Sequence, residues 1–333
     1  MFERILVPLD GSERGERMLP LALHVARWFD AELTLFHVLS RVRPVASGSA
    51  PGTAARQPPG DIRYPDELHD RGLSLGGAYL DEVARRVRDR GGRVRTGIVA
   101  GKPAEMIAAR AVAGGFGLIA MTTTARPPAL RFFRRGTLRA VWPVAPVPLL
   151  VLGDGFVLEE DVRALSPDGL LVLLDGSRRA EWGLLYARVL ARAGKLPVTL
   201  LRSVLRPPLA PVDDAVRPTG CRDVEQYLDE RAEALRSHGV EAVSELTYRD
   251  PAYAVAEAQR ADPGRMVVVA SRMRRGLRRA ILGSWADEVV RHSRGAVMVV
   301  PTGRARRGSG LPDAETDEPL RFASDAHGPP EPG

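Results

Sequence analysis

A single cysteine, Cys221, stands in the chain of 333 residues. A lone thiol excludes an internal disulfide, and without a CxxC pair or a neighbouring histidine it offers no zinc-type ligand set. The histidines, His24, His37, His69, His238, His292 and His327, are scattered, which argues against a metal centre. No apolar run reaches the roughly 18 to 20 residues that a membrane helix requires. The opening MFERILVPLDGSER lacks a secretory pattern, so a cytoplasmic chain without membrane contact is expected. Also missing are GxSxG, HExxH, a clustered pair of acids and a GxGxxG after the first strand. That leaves no recognisable nucleophile, metal or general base, and it disfavours dinucleotide binding. The stretch GIVAGKP, residues 97 to 103, is too short for a phosphate loop of the Walker type and has proline where Ser or Thr is needed.

What is present is ordinary globular material, 44% hydrophobic and 27% charged, long enough for two domains. The net charge of +7 permits acidic ligands without specifying one.

The chain repeats itself. ILVPLDGSERGERMLPLALHVARWFDAELTLFHVLS from Ile5 is echoed by LLVLLDGSRRAEWGLLYARVLARAGKLPVTLLRSVL from Leu170, each an apolar strand, Asp-Gly-Ser, an amphipathic helix and a second strand. GKPAEMIAARAVAGGFGLIAMTTT from Gly101 matches RDPAYAVAEAQRADPGRMVVVASR from Arg249, each a proline-started helix before a buried strand. Asp10 to Val38 spans 28 positions and Asp175 to Val204 spans 29, while Pro103 to Gly136 spans 33 and Pro251 to Gly283 spans 32. The middle intervals differ, 65 against 47, and the surplus falls in PVASGSAPGTAARQPPG, a composition suited to a surface loop.

Strands alternating with helices, five strands per copy, predict two tandem doubly wound α/β domains with parallel sheets. The expected divisions are residues 1–153, a connector over 154–168, a second domain over 169–303, and a disordered tail over 304–333. Ligands of such sheets settle beyond the carboxyl ends of the strands where strand order reverses, here between the first and fourth strands of each copy. Asp175 follows the first strand of copy two and Ser271 its fourth, so the arginine-rich SRMRRGLRRAILGSW begins at the expected ligand crevice and runs to Gly283-Ser284, where a helix start offers free N–H groups.

These residues resemble the universal stress protein family in its tandem two-domain form, over roughly residues 1 to 303. ILVPLDGS and LLVLLDGS, FHV at 36 to 38, GKPAEMI and GLRRAILGS carry the resemblance. It implies an adenine nucleotide alpha hydrolase-like fold in each half and an intramolecular pseudo-dimer, with strands near Val147 to Leu152 and Ala296 to Val300 pairing edge to edge. Nucleotide-binding members of that family carry G-x2-G-x9-G-[ST] after the fourth strand and an aspartate after the first, near adenine. Copy two keeps the frame as Ala270, Met273 and Gly283-Ser284, without the first two glycines. Copy one departs further, with Thr122 and Ala125 at the glycine positions, ten residues before Gly136-Thr137, and Pro127, Pro128 and Pro143 stiffening or shortening what surrounds them.

The resemblance therefore implies a stress-response regulator that binds ATP or a related adenine nucleotide, mainly in copy two, with Mg2+ on the phosphates. Asp175 would meet adenine, Val204 would wall it, and Arg272, Gly283, Ser284 and nearby arginines would grip phosphate, with Asp10, Val38, Gly136 and Thr137 as the weaker set. Each residue also has a local role: Asp-Gly-Ser caps helices and makes turns, a valine after a buried strand is core, and Arg272, Arg274, Arg275, Arg278 and Arg279 suit a solvated face. Basic residues alone bind RNA or DNA only through salt-sensitive contacts, and this stretch has no interleaved aromatics to stack bases. The alternatives are an interaction scaffold that binds no nucleotide and a weak ATPase. An unidentified protein partner, and a homodimer beyond the paired domains, complete the expectations.

Overall fold

A computed structural model describes residues 1–39, 65–123, 136–158, 161–204, 221–272 and 284–302. The expected tail lies outside them, as does most of the arginine cluster.

The first half runs β1 (Arg4–Leu9), α1 (Glu13–Glu16), α2 (Met18–Trp28), β2 (Glu32–Leu39), α3 (Pro65–Asp89), β3 (Val94–Ala100), α4 (Pro103–Ala113), β4 (Leu118–Thr122), α5 (Thr137–Val141) and β5 (Leu149–Leu152). The second runs β6 (Gly169–Leu173), α6 (Trp182–Gly194), β7 (Val198–Ser203), α7 (Cys221–Arg236), β8 (Ala242–Thr247), α8 (Pro251–Ala261), β9 (Arg265–Arg272), α9 (Ser284–His292) and β10 (Ala296–Thr302). Proline begins α4 and α8, where its missing N–H costs nothing, and Asp250 caps α8 by accepting from the N–H groups of Ala252 and Tyr253 at 2.9 and 3.1 Å. Trp142 and Pro143 turn the chain directly after α5, which is therefore five residues long against nine for α9.

The strands form one ten-stranded sheet in the order β3-β2-β1-β4-β5-β10-β9-β6-β7-β8. Pairing is parallel within each half and antiparallel only where β5 meets β10, Leu150 lying opposite Met298. The doubly wound halves read from the repeat, and the pseudo-dimer that the resemblance implies, are thus the ones observed. Strands alternate their apolar side chains between two covered faces. Ile5, Val7 and Leu9 pack with α2, α3, α6 and α7, while Leu6, Ile119 and Val269 pack with α4, α5, α8 and α9.

The start of the connector is pinned to the second half. The N–H groups of Gly153, Asp154 and Gly155 donate to Gly295, Val290 and Ser293 carbonyls at 3.0, 3.1 and 3.0 Å. Within the second half, fully buried Gln259 donates to the carbonyls of Arg265 and Ala296 and accepts from the Ser293 hydroxyl and the Arg294 N–H, tying α8 to the turn before β10. Every polar atom of that amide finds a partner, which is the condition for burying it.

The halves also meet through α2 and α6. Phe2 lies 6.1 Å from Tyr186, and a Cβ added to Gly194 would come within 2.9 Å of Trp28. Beside this contact His24 is half buried, 5.2 Å from the Trp28 ring, and burial lowers its pKa below the ordinary 6.5 despite a hydrogen bond to Pro167. A histidine with a depressed folded pKa contributes stability above its unfolded pKa that is lost as pH falls through the folded value. The melting temperature should therefore fall more steeply from about pH 7 to about pH 5 in the native chain than in His24→Gln. At the seam, Leu150→Ala should lower unfolding free energy by about 2–5 kcal/mol in urea titrations, the usual cost of a core truncation.

Candidate functional site at the switch points of the sheet

Strand order reverses between β1 and β4 in the first half and between β6 and β9 in the second. Because β5 and β10 are antiparallel, the carboxyl ends of the two sets of strands point to opposite edges of the sheet. Each half therefore has its own crevice.

Asp10 and Asp175 stand exposed at the ends of β1 and β6. Each is held by its own turn. Asp10 Oδ1 accepts from the Ser12 N–H at 3.1 Å and the Ser12 hydroxyl at 2.6 Å, and Asp175 Oδ1 accepts from the Ser177 N–H at 2.8 Å. The serines then accept from the N–H groups of Gly15 and Ala180 at 3.1 and 3.2 Å, so Ser12 caps α1 while Ser177 closes a turn ahead of α6, whose cap position, Glu181, makes no side-chain bond. Gly11 and Gly176, at φ +83° and +80°, supply the left-handed residue the turn demands. One carboxylate oxygen of each aspartate is committed to this turn.

Across the crevice, the register Leu170↔Met266 to Val172↔Val268, counted onward, sets Asp175 beside Ser271. Ser271 is 4% exposed, and its hydroxyl has no hydrogen-bond partner among the described residues. Half-buried Ala270 precedes it and Arg272 closes the strand. In the first half the same count sets Thr123, also buried, beside Asp10, with Thr122 in the place of Ala270. Ser284 opens α9 and Thr137 opens α5, the latter capped by Gly136 without a side-chain bond. Met273 and Gly283 lie outside the described residues, as do Arg274, Arg275, Arg278, Arg279 and Ala125.

Val38 and Val204 are both half buried at the ends of β2 and β7. They are not counterparts. Val38 pairs with Val99 and Ser203 with Thr247, so the ladder makes Ser203 the equivalent of Val38 and places Val204 one residue further, matching the 28 and 29 positions counted from the aspartates.

A second set of side chains, invisible to motif reading, frames each crevice. Six positions after each aspartate comes a glutamate, Glu16 or Glu181, facing a tyrosine from the helix that follows the second strand of its half, Tyr79 of α3 or Tyr227 of α7. An arginine completes each cluster: Arg86 bonds Glu16 at 2.7 Å and Arg231 bonds Glu181 at 3.1 Å. The Tyr227 hydroxyl donates to Glu181 at 3.1 Å, and burial followed by that carboxylate pushes its pKa up to about 12. Burial and Glu16 push Tyr79 up likewise. Over the tyrosines lie different partners. His37, whose Nδ1 is 2.8 Å from the Leu9 carbonyl, sits 6.2 Å from the Tyr79 ring, whereas the Arg202 guanidinium sits 5.6 Å over Tyr227 and against Gly176. The second half thus sets a cation beside the Asp175 turn where the first sets an imidazole. Glu and Tyr are not at a fixed distance from each other, but Glu six positions after each aspartate and Tyr 24 positions before Pro103 and Pro251 recur in both copies, and that was the signal that could have found these clusters.

The model of the universal stress protein family matches residues 1–153 and 168–301. The chain belongs to the universal stress protein family. A relative in Bacillus subtilis (strain 168), universal stress protein YxiE, is 29% identical over 119 residues, covering 36% of this chain and 77% of the relative. Among solved structures, a universal stress protein from Archaeoglobus fulgidus DSM 4304 superposes with a TM-score of 0.64 at 19% identity, over 90% of this chain and 96% of that one. A functionally unknown protein from Pseudomonas aeruginosa PAO1 gives 0.56 at 16% identity, over 90% and 92%. These similarities extend the tandem fold across both halves of this universal stress protein.

The two turn glycines separate backbone cost from side-chain cost. Gly11 has nothing within 4 Å of an added Cβ, whereas at Gly176 that atom would stand 2.7 Å from Arg202 nitrogens. Gly11→Ala should cost about 1–2 kcal/mol through φ alone. Gly176→Ala should cost more, and Arg202→Ala should abolish the difference, as read by thermal or urea unfolding.

Proposed function

We propose that this universal stress protein binds ATP or a related adenine nucleotide at the switch point of its second half, and exchanges a protein partner with occupancy in a stress response of the cytoplasm. The observation that carries the reading is the Ser271 hydroxyl, buried at the crevice without a hydrogen-bond partner among the described residues. A buried hydroxyl left unpaired is costly, and a ligand atom that bonds it recovers that cost. Asp175 keeps one oxygen beyond its turn for the adenine edge, with Val204 at the side of the ring. Arg202 adds a positive charge where the first half has His37. Ser284, which opens α9, and Gly283 before it in the sequence would form the phosphate side together with Ala270, Arg272 and Met273, since a helix start favours anions. Asp10, Val38, Gly136 and Thr137 form the weaker counterpart, since α5 is a single short turn.

Among the described residues no group of three or more His, Cys, Asp or Glu is arranged to hold a metal ion. Mg2+ therefore belongs with the nucleotide, shielding phosphate charge rather than occupying a protein cage. No helix among the described residues is long and apolar enough to cross a membrane.

A second reading, an interaction scaffold that takes no nucleotide, draws support from Ala270 and Thr122 where glycine would let backbone approach phosphate, and from the commitment of both aspartates to their turns. Isothermal titration separates the two. Millimolar ATP with magnesium should give saturable heat on the native chain. Ser271→Ala should weaken affinity about fivefold without loss of stability, and Gly283→Trp should abolish binding. Flat heats from the native chain would favour the scaffold.

A further inference from the structure

The repeat and the seam together place two charges on a symmetry axis. Ile119 and Val267 are counterparts in the two halves, as are Leu149 and Val297, and the interval between them equals the 148 positions that separate Arg139 from Asp287. The burial pattern agrees, since Leu138 and Val141 of α5 answer to Ala286 and Val289 of α9. Leu150 and Met298, directly opposed across the seam, share the same interval. The pseudo-two-fold axis therefore passes through Leu150–Met298 in the sheet and through Arg139–Asp287 in the helical layer above it. There the Arg139 guanidinium bonds both oxygens of the Asp287 carboxylate, at 3.1 and 2.9 Å, and Arg291 holds the same carboxylate from within α9.

At a two-fold axis between identical copies, a residue meets itself. Arg139 would face Arg139, and Asp287 would face Asp287. We propose that the opposite charges at this one axial position specify pairing of the first half with the second and select against pairing of two first halves, so that the chain closes on itself in preference to a second copy.

The physical basis is difference rather than strength. A partly exposed ion pair adds little affinity by itself, and Arg139 is 47% exposed although Asp287 is only 15% exposed. Like charges forced together at the same place are rejected, and specificity is the gap between the two cases. Two first halves would join two guanidinium groups, with Pro143 standing where the second half has Arg291. Two second halves would forgo Arg139 and leave each Asp287 on Arg291. The seam strands cannot supply this choice, because Leu149–Leu152 and Ala296–Val299 are apolar throughout and would pair equally well with themselves.

The test is a charge-exchange cycle on the full chain. Asp287→Arg should lower the melting temperature by about 2–5 °C. It should also speed amide exchange at Leu149–Leu152 and Ala296–Val299 by roughly tenfold. Asp287→Asn, which removes the helix-internal contact with Arg291 without creating a like-charge pair, should cost less. Arg139→Asp should rescue Asp287→Arg, restoring most of the lost melting temperature and seam protection, and should not rescue Asp287→Asn. Added salt should shrink every difference. Size-exclusion chromatography should show more self-association in Asp287→Asn than in the native or exchanged chains. The inference is overturned if the exchanged chain is as damaged as the sum of its single changes, or if Asp287→Asn and Asp287→Arg are equally harmful. None of these readouts involves nucleotide, so failure of ATP binding leaves the outcome intact.

Discussion

The antiparallel pairing of β5 with β10 is the constraint from which the remaining arrangement follows. Both strands are buried on both faces, and neither can stand as a free edge without exposing apolar residues and a row of unpaired backbone groups. Joining them merges two five-stranded sheets into one, brings Arg139 of α5 against Asp287 of α9 on one face and sets α2 beside α6 on the other. It also sends the two switch points to opposite edges of the molecule. The connector then packs onto the turn before β10, because its ends are already fixed by the joined strands.

Much of this was legible in the chain itself. Two apolar strands ending in Asp-Gly-Ser, and two helices started by proline, gave the repeat, the strand order and the switch points, since each rests on local patterning that recurs at matched spacing. The seam partners Leu149–Leu152 and Ala296–Val299 could be named only by resemblance, because an apolar strand does not announce its neighbour. Gln259 reads as an ordinary helix residue, and only the fold reveals that its amide satisfies the turn at Ser293. The tyrosine clusters were missed because Glu181 and Tyr227 lie 46 positions apart, a distance over which no periodicity operates.

The site shows what happens when one repeat is copied and then released from symmetry. Both halves keep the turn, its serine, the glutamate and the tyrosine, which are the parts that hold the crevice in shape. They differ where the proposed nucleotide would be touched: His37 against Arg202, Thr123 against Ser271, five residues of α5 against nine of α9. The frame is conserved between the copies by packing, while the lining has diverged. Under the proposed function, that difference is the reason for assigning the nucleotide to the second half.

The most direct measurement of that claim is amide hydrogen exchange on the full chain with and without ATP and magnesium. The account predicts slowed exchange over Gly176–Ala180, Ala270–Arg272 and the first turn of α9, with the matching segments of the first half little changed. Protection absent from all three segments, or confined to the first half, would contradict it.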